Sequence, residues 1–479
     1  MRKKKFIEPF EMDVLTLGRA GVGVGVAPDG SPVQVRFAPP GARVRVVAQG
    51  KRHGVWSARR TALVTPPLNA AKPACPVFTL CGGCALQELD LEAQRVAKQE
   101  FALHELGSVW ADGVRVHAIR GPKASYGYRN RVELSFGTAR YVSEDDRAAD
   151  APIDGRWLGF HAPGRFDRVV DTESCALVGP AANAVIAVAR QIALDPQAPL
   201  PWNAREHMGF WRHLMVREST LGEILVGVYT APANDAEVAW VERLATALMT
   251  VNAVSSKVVG VVWIENPGVA DVAQGAVRQH WGTDQFHERL GAVRYRLGLT
   301  SFFQTSTEGA VVLYDTVGEA VGEAATQRGT LYDLYCGIGS IGLYLADRFD
   351  AVIGIEEHAG AVEDARRNAA ENGVRHASYH AAKVEDALDR LPERESGPRT
   401  LIVDPPRVGL HPKVAAAVAL AHADVLVYVA CHPTSLGRDA AVLIAGGWVP
   451  TDVWMVDLFP QTGHVEAVAR FVRPPVDPV

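Results

Sequence analysis

Four sets of residues in this sequence have the types and spacing to do chemistry. Gly337-Ile-Gly339-Ser-Ile-Gly342 follows an apolar stretch, with Glu356 nineteen residues after its first glycine. Glycines so placed let a backbone approach a ligand closely, and an acid at that distance accepts from ribose hydroxyls. The loop therefore fits a nucleotide-bearing cofactor, NAD among them. Cys431 precedes His432-Pro433-Thr434-Ser435, which reads as a helix start. A thiol at a helix N-terminus gains thiolate character from the dipole and the free N–H groups. The run from Asp457 through His464 ends at Glu466, a carboxylate that could act as a base beside a thiolate. Cys75, Cys81, Cys84 and Cys175 form the fourth set, and four thiolates suit zinc or an iron–sulfur cluster. Spacing alone favours zinc, the commoner structural site. Cys336 has no partner and reads as packing within the glycine loop.

These groups need elements to hold them. From about residue 300 helical and β-rich segments alternate: a helix over Thr307–Ala325, then strands at 330–336, 351–357, 378–382, 400–406 and 424–430, with closing strands near 453–458 and 465–472. Such alternation means a doubly wound α/β sheet with its ligands at the carboxyl ends of the strands. The chemistry should then lie just after Tyr335, Glu356, Asp404 and Ala430. Residues 12–68 alternate with period two between turn residues, which predicts a small barrel of about five strands. Its outward face would carry Arg36, Arg43, Arg45, Lys51, Arg52, Arg59 and Arg60. A linker follows at Pro66–Pro73, then the cysteines, a helix over Leu91–Leu106 and a mixed α/β region. The expected division is 1–68, 69–290 and 291–479.

Composition bounds the rest. The 479 residues have mean hydropathy of +0.02 and 22% charged residues, ordinary for a folded multidomain α/β protein. Residues 1–72 hold 13 Lys/Arg against 4 Asp/Glu, although the whole chain carries −5. A basic module on an acidic body points to a polyanion partner. The basic start MRKKKFIEPFEMD has no apolar run after it, and no stretch is long enough to span a bilayer. The chain reads as cytoplasmic, with no membrane partner.

Two details set the glycine loop apart from a dehydrogenase: Asp333 inside the preceding strand, and Asp404-Pro405-Pro406-Arg407 at the end of the fourth. Both resemble the S-adenosylmethionine pocket of class I methyltransferases. SFFQTST (301–307), DLYCGIGSIGL (333–343), DPPRVGL (404–410), ACHP (430–433) and DLFPQTGHVE (457–466) resemble, in order, the motifs of RNA uracil-C5 methyltransferases. So do Cys75-x5-Cys81-Gly-Gly-Cys84, GYRNRVELSF (127–136) and LGFHAPGRFDRVVDTESC (158–175). The N-terminal barrel resembles a TRAM domain, and the whole is most similar to the TRAM-containing, iron–sulfur 23S rRNA members.

The resemblance implies an OB-like TRAM barrel, a central domain with a [4Fe–4S] cluster on Cys75, Cys81, Cys84 and Cys175, and a Rossmann-like methyltransferase domain. It makes Cys431 the nucleophile and Glu466 the proton-abstracting base. S-adenosylmethionine would lie against Gln304, Tyr335, Ser340, Glu356 and Asp404, with Asp404 and Arg407 helping to position uracil or cofactor. The expected activity is methylation of carbon 5 of a uridine in 23S rRNA. Adding a thiolate to carbon 6 makes carbon 5 electron-rich, so covalent catalysis splits one hard displacement into easier steps. Two alternatives stand beside it: a tRNA uracil-C5 methyltransferase, whose branch typically lacks the barrel and the four cysteines, and a non-catalytic rRNA assembly factor. DNA is not expected as a partner, because DNA cytosine enzymes carry a Pro-Cys dipeptide where this chain has Asp404-Pro405-Pro406-Arg407. No obligate protein partner is implied. Ala430, His432, Thr305, Ser306 and Ala382 depart from the usual family residues near the site.

Overall fold

The computed structural model of the chain describes residues 8–107, 110, 113–322, 329–388 and 397–474. Its last part alternates helices and strands: α1 (Thr307–Val321), β1 (Thr330–Leu334), α2 (Ser340–Tyr344), β2 (Ala351–Glu356), α3 (Ala359–Glu371), β3 (Ala377–Ala381), β4 (Arg399–Val403), β5 (Val425–Ala430), α4 (Pro433–Ala445), β6 (Val449–Val456) and β7 (Glu466–Val472). The strand order is β3-β2-β1-β4-β5-β7-β6, with Arg115–Val116 added as an edge strand beside β6. The first five strands are parallel and β7 runs against β5. Strand order reverses at β1, and a crevice opens there at the carboxyl ends. β5 reads as a continuous apolar run, and β4 ends in Leu401-Ile402-Val403, because helices cover both faces. Along β5, Val425, Val427 and Val429 enter the layer containing α1, while Leu426, Tyr428 and Ala430 enter the layer containing α4. The expected helix over Thr307–Ala325 stops at Val321, where Gly322 takes φ +70; residues 323–325 lie outside those described.

Two segments from upstream complete this domain. Helix Leu91–Leu106, capped by the Asp90 side chain on the Ala93 N–H (2.7 Å), packs on α4. The approach is close: a Cβ on Gly437 would lie 2.6 Å from the Leu106 carbonyl. Hairpin Gln285–Leu290/Val293–Gly298 straddles residue 290 and buries Phe286, Leu290, Tyr295 and Leu297 in the α1 layer. The Asn372 and Asn368 side chains accept its Arg294 and Arg296 N–H groups at 2.9 and 2.8 Å.

The central region is an eight-stranded sheet with helices Pro180–Ala193 and Asp235–Met249 packed on it. At the N-terminus six short strands form one sheet in the order Phe10–Asp13, Arg43–Arg52, Val55–Thr65, Pro32–Val35, Gly23–Val26, Thr16–Leu17. The first and last of these are consecutive in the chain, and between them the Val14 N–H donates to the Ala42 carbonyl and the Leu15 N–H to the Val24 carbonyl, both at 2.8 Å, so the segment from Phe10 to Leu17 bonds to both ends of the order. The short edge strand stops because Leu17 turns into the core it shares with helix Leu91–Leu106. The basic face is thinner than the sequence implies. Glu11 accepts from Arg43 at 3.2 Å and from Arg45 at 2.8 Å, and Arg60 turns inward to Glu88. Among the described residues, no helix is long and apolar enough to cross a membrane.

Candidate active site

The glycine loop is built around a buried acid. Asp333, in β1, accepts from the Gly342 N–H at 2.9 Å, and burial first of all pushes its carboxyl up to about 7. Gly337 and Gly339 take φ of +55 and +79, the left-handed region glycine tolerates best. Tyr335, with φ +65, adopts the same conformation without that freedom, the kind of strain that clusters at ligand sites. Glu356, ending β2, accepts from the Gly337 N–H at 3.2 Å and the His358 N–H at 2.8 Å. Both oxygens are thereby aimed, and each keeps a lone pair for a ribose hydroxyl.

These residues open onto a cleft of 1140 Å³ at the carboxyl ends of the sheet. Gln304, Tyr335, Glu356, Asp404, Arg407, Cys431 and Glu466 all line it. Of the expected cofactor residues Ser340 is outside this lining, and its carbonyl accepts from the buried Tyr295 hydroxyl at 2.7 Å. Phe459, His464 and Arg129 also face the cleft.

Cys431 follows β5 and precedes α4, whose N-cap is His432. The sulfur carrier is thus outside the helix, and the dipole's influence fades within the first turn. The expected thiolate character is not found: burial, then Glu466, then Asp404 push the Cys431 thiol up to about 12, against the pull of Arg407. The carboxyls are lifted too. Burial raises Asp404 to about 7, and burial plus the charge of Asp404 raises Glu466 to about 8. A thiol and two carboxyls thus compete for protons in one cleft, the signature of a site arranged for proton transfer.

The loop that delivers Glu466 is clamped from other parts of the chain, and sequence reading missed every clamp. Lys98 and Asp457 form a fully buried ion pair, and Lys98 also donates to the Phe459 carbonyl at 3.0 Å. Tyr128 donates to the Pro460 carbonyl (2.8 Å), and the Ala85 and Leu86 N–H groups to the Gln461 carbonyl (2.8 and 3.0 Å). Gln94 and Gln461 pair through both side chains and backbone. Lys98 and Gln94 lie on the buried face of helix Leu91–Leu106, and a polar residue at a core position was the available signal.

Cys75, Cys81, Cys84 and Cys175 line a second cavity of 390 Å³. Gly83, Arg129 and Thr305 line both cavities and form their common wall. Among the described residues no group of three or more His, Cys, Asp or Glu side chains is placed to hold a metal ion. The structure therefore brings the four expected cysteines to one cavity without showing a metal centre.

A family model described as tRNA (Uracil-5-)-methyltransferase matches residues 279–472. An uncharacterized RNA methyltransferase of Chlorobaculum tepidum is 34% identical over 470 residues, covering 95% of this chain and 93% of the relative. The tRNA (uracil(54)-C(5))-methyltransferase of Pyrococcus horikoshii is 30% identical over 445 residues, covering 92% and 95%. The chain belongs to the RNA uracil-C5 methyltransferase family. Among solved structures, the Pyrococcus abyssi tRNA (uracil-54, C5)-methyltransferase in complex with S-adenosyl-L-homocysteine superposes with a TM-score of 0.71 at 26% identity, over 96% of this chain and 100% of that one. The membership is carried by the whole chain and not by the Rossmann-like core alone.

Proposed function

We propose that this protein methylates carbon 5 of a uracil in RNA through a transient bond between Cys431 and carbon 6. One observation carries the reading: Cys431, Glu466 and Asp404 meet the glycine loop and Glu356 on a single cleft. Gln304, Tyr335, Glu356 and Asp404 would hold S-adenosylmethionine, which would supply the methyl group to carbon 5 and leave as S-adenosylhomocysteine. Cys431 gives up its proton to solvent in the open cleft and its sulfur adds to carbon 6, moving the electron pair of the 5,6 double bond toward carbon 5. After methylation, Glu466 takes the proton from carbon 5 and the released pair expels the thiolate, restoring the double bond. Asp404 tunes both partners, and Arg407 steadies the negative charge on sulfur. The target base reaches the cleft only when flipped out of its stack.

We assign 23S rRNA as the substrate, on the order of motifs from the N-terminal sheet to Glu466. A specific finding favours tRNA as the second reading: two relatives named as tRNA uracil-54 enzymes match along nearly the whole chain. Those two matches extend over the N-terminal region as well as the methyltransferase core. We also assign the four-thiol cavity to a [4Fe–4S] cluster, on the resemblance and because four thiols that line one cavity would suit it once they lose their protons. The N-terminal sheet is taken as a TRAM-like RNA-binding module, and the enzyme as cytoplasmic.

Incubation with labelled S-adenosylmethionine and unmodified 23S rRNA or tRNA should yield 5-methyluridine in one of them, and Cys431→Ala should abolish it. RNA carrying 5-fluorouridine should be trapped on residue 431, since fluorine cannot leave as a proton does. Normal turnover by Cys431→Ala would overturn the reading.

A further inference from the structure

Cys431 lines two cavities. Beside the large cleft lies a smaller one of 130 Å³, walled by Arg407, Cys431, His432, Gly463, His464 and, from the N-terminal sheet, Arg19. The sheet reaches this point through a tight turn. Leu17 is buried against helix Leu91–Leu106, and the Gly18 N–H then donates to the Val22 carbonyl at 2.7 Å. Ala20 at the tip takes φ +59, ψ 22, a left-handed conformation that costs a non-glycine residue roughly 1 kcal/mol or more. Behind it Gly21 and Gly463 meet backbone to backbone. A Cβ on Gly463 would lie 2.0 Å from the Gly21 nitrogen, and one on Gly21 would lie 2.7 Å from Ala85 Cβ. The turn is therefore seated on the loop that carries Glu466, with no room for a side chain between them.

That seat brings a cation to the nucleophile. Arg19 and Arg407 are both exposed, and neither makes an ion pair with a described residue. His432 is held below its ordinary 6.5, first by burial and then by Arg19 and Arg407, with Glu105 opposing. His464 is pushed down to about 4, first by burial and then by Arg407, Lys98 and Arg129. Two guanidiniums that form no ion pair with a described residue share one small cavity with the His432 and His464 rings, a setting that suits an anion. Glu105 and the Glu466 carboxyl offset part of this positive charge, and an arriving anion would offset the rest.

We propose that Arg19, together with Arg407, receives the backbone phosphate adjoining the target uridine, so that the N-terminal sheet completes the active centre besides contacting RNA elsewhere. This rests on the RNA reading above. It makes Arg19 a substrate-positioning residue, fixing the flipped nucleotide over Cys431 through the phosphate next to it. The test reads affinity, so that it stands apart from methylation. Binding of an unmodified tRNA transcript and of a 23S rRNA fragment is measured by fluorescence anisotropy across a salt series. Arg19→Ala should weaken binding of the better ligand about tenfold and reduce the log Kd against log salt slope by about one contact. Arg19→Lys should restore most of the affinity, which also shows that the loss is one of charge and not of folding. The double variant Arg19→Ala/Arg407→Ala should lose less than the product of the single losses, because both serve one phosphate. Arg19→Ala/Arg36→Ala should lose the full product, since Arg36 lies on the exposed face of the sheet and outside this cavity. Wild-type affinity and salt slope in Arg19→Ala would overturn the proposal, and so would losses at Arg19 and Arg407 that multiply. Failure of the wild type to methylate any RNA would refute the functional reading instead, and the binding cycle would still decide this one.

Discussion

Replacing Glu466 with Gln should stop turnover and yet stabilise the protein above neutral pH. Glu466 is 6% exposed, and burial followed by the charge of Asp404 lifts its carboxyl from 4.5 to about 8. The folded chain therefore keeps a proton that the unfolded chain releases near its ordinary value. Below about pH 4 both states are protonated and there is no difference between them. As pH climbs toward 8 the unfolded state gains from ionising and the folded state does not, so stability falls. At ~1.36 kcal/mol per pH unit, the interval from 4.5 to 8 amounts to about 5 kcal/mol at full ionisation, and to about 3 kcal/mol at pH 7. Gln keeps the shape of the protonated acid and escapes this cost. Asp404, raised to about 7 by burial, contributes its own share, so the substitution flattens the pH dependence without removing it. Scanning calorimetry from pH 5 to 9 tests the point. The two proteins should melt close together at pH 5, and Glu466→Gln should melt higher at pH 8 and above. Parallel curves across the range would mean that Glu466 is not held neutral, and the argument for its role as a tuned base would fail.

Other outcomes follow from the same geometry. A base must be ionised to accept a proton, so release of 5-methyluridine from the covalent adduct, the step after methyl transfer, should slow as pH drops below about 8. Asp404→Asn removes the charge that raises Glu466 and should move this limb to lower pH, whatever it does to the rate; an unmoved limb contradicts the coupling. Lys98→Met leaves Asp457 buried with only Arg95, 3.7 Å away, as a cation, and should cost about 3–5 kcal/mol in urea unfolding. Adding Asp457→Asn should return part of that loss. Cys81→Ser or Cys84→Ser should abolish the brown absorbance and the iron and sulfide of anaerobically purified protein; colourless wild type with bound zinc would overturn the cluster assignment.

The chemistry of this chain was legible because its residues sit at strand ends. A glycine loop after a strand, an acid ending the next, Asp404 after the fourth and Cys431 after the fifth are local features, and the alternation of helix and strand brings all four to one edge of a doubly wound sheet. Strand boundaries came within a few residues for the same reason, since β5 and the second half of β4 are short apolar runs of the length a covered parallel strand carries. Ser340 was less legible. Its place in the loop is local, but the direction of the loop depends on Tyr295, a residue of the hairpin packed beside it.

The sequence by itself determined the class of sheet and singled out the glycine loop, Cys431 and Glu466 as candidates, because each of these depends on near neighbours in the chain. Only the tertiary structure decided their protonation and their setting. Cys431 is a reluctant thiol first because the fold buries it, and then because Glu466 and Asp404, which end up beside it only in the folded sheet, share its cleft. The Glu466 loop is held by Lys98, Gln94 and Tyr128, hundreds of residues upstream. Charge and burial act through space, and no spacing along the chain records which distant side chains the fold will bring within a few ångströms.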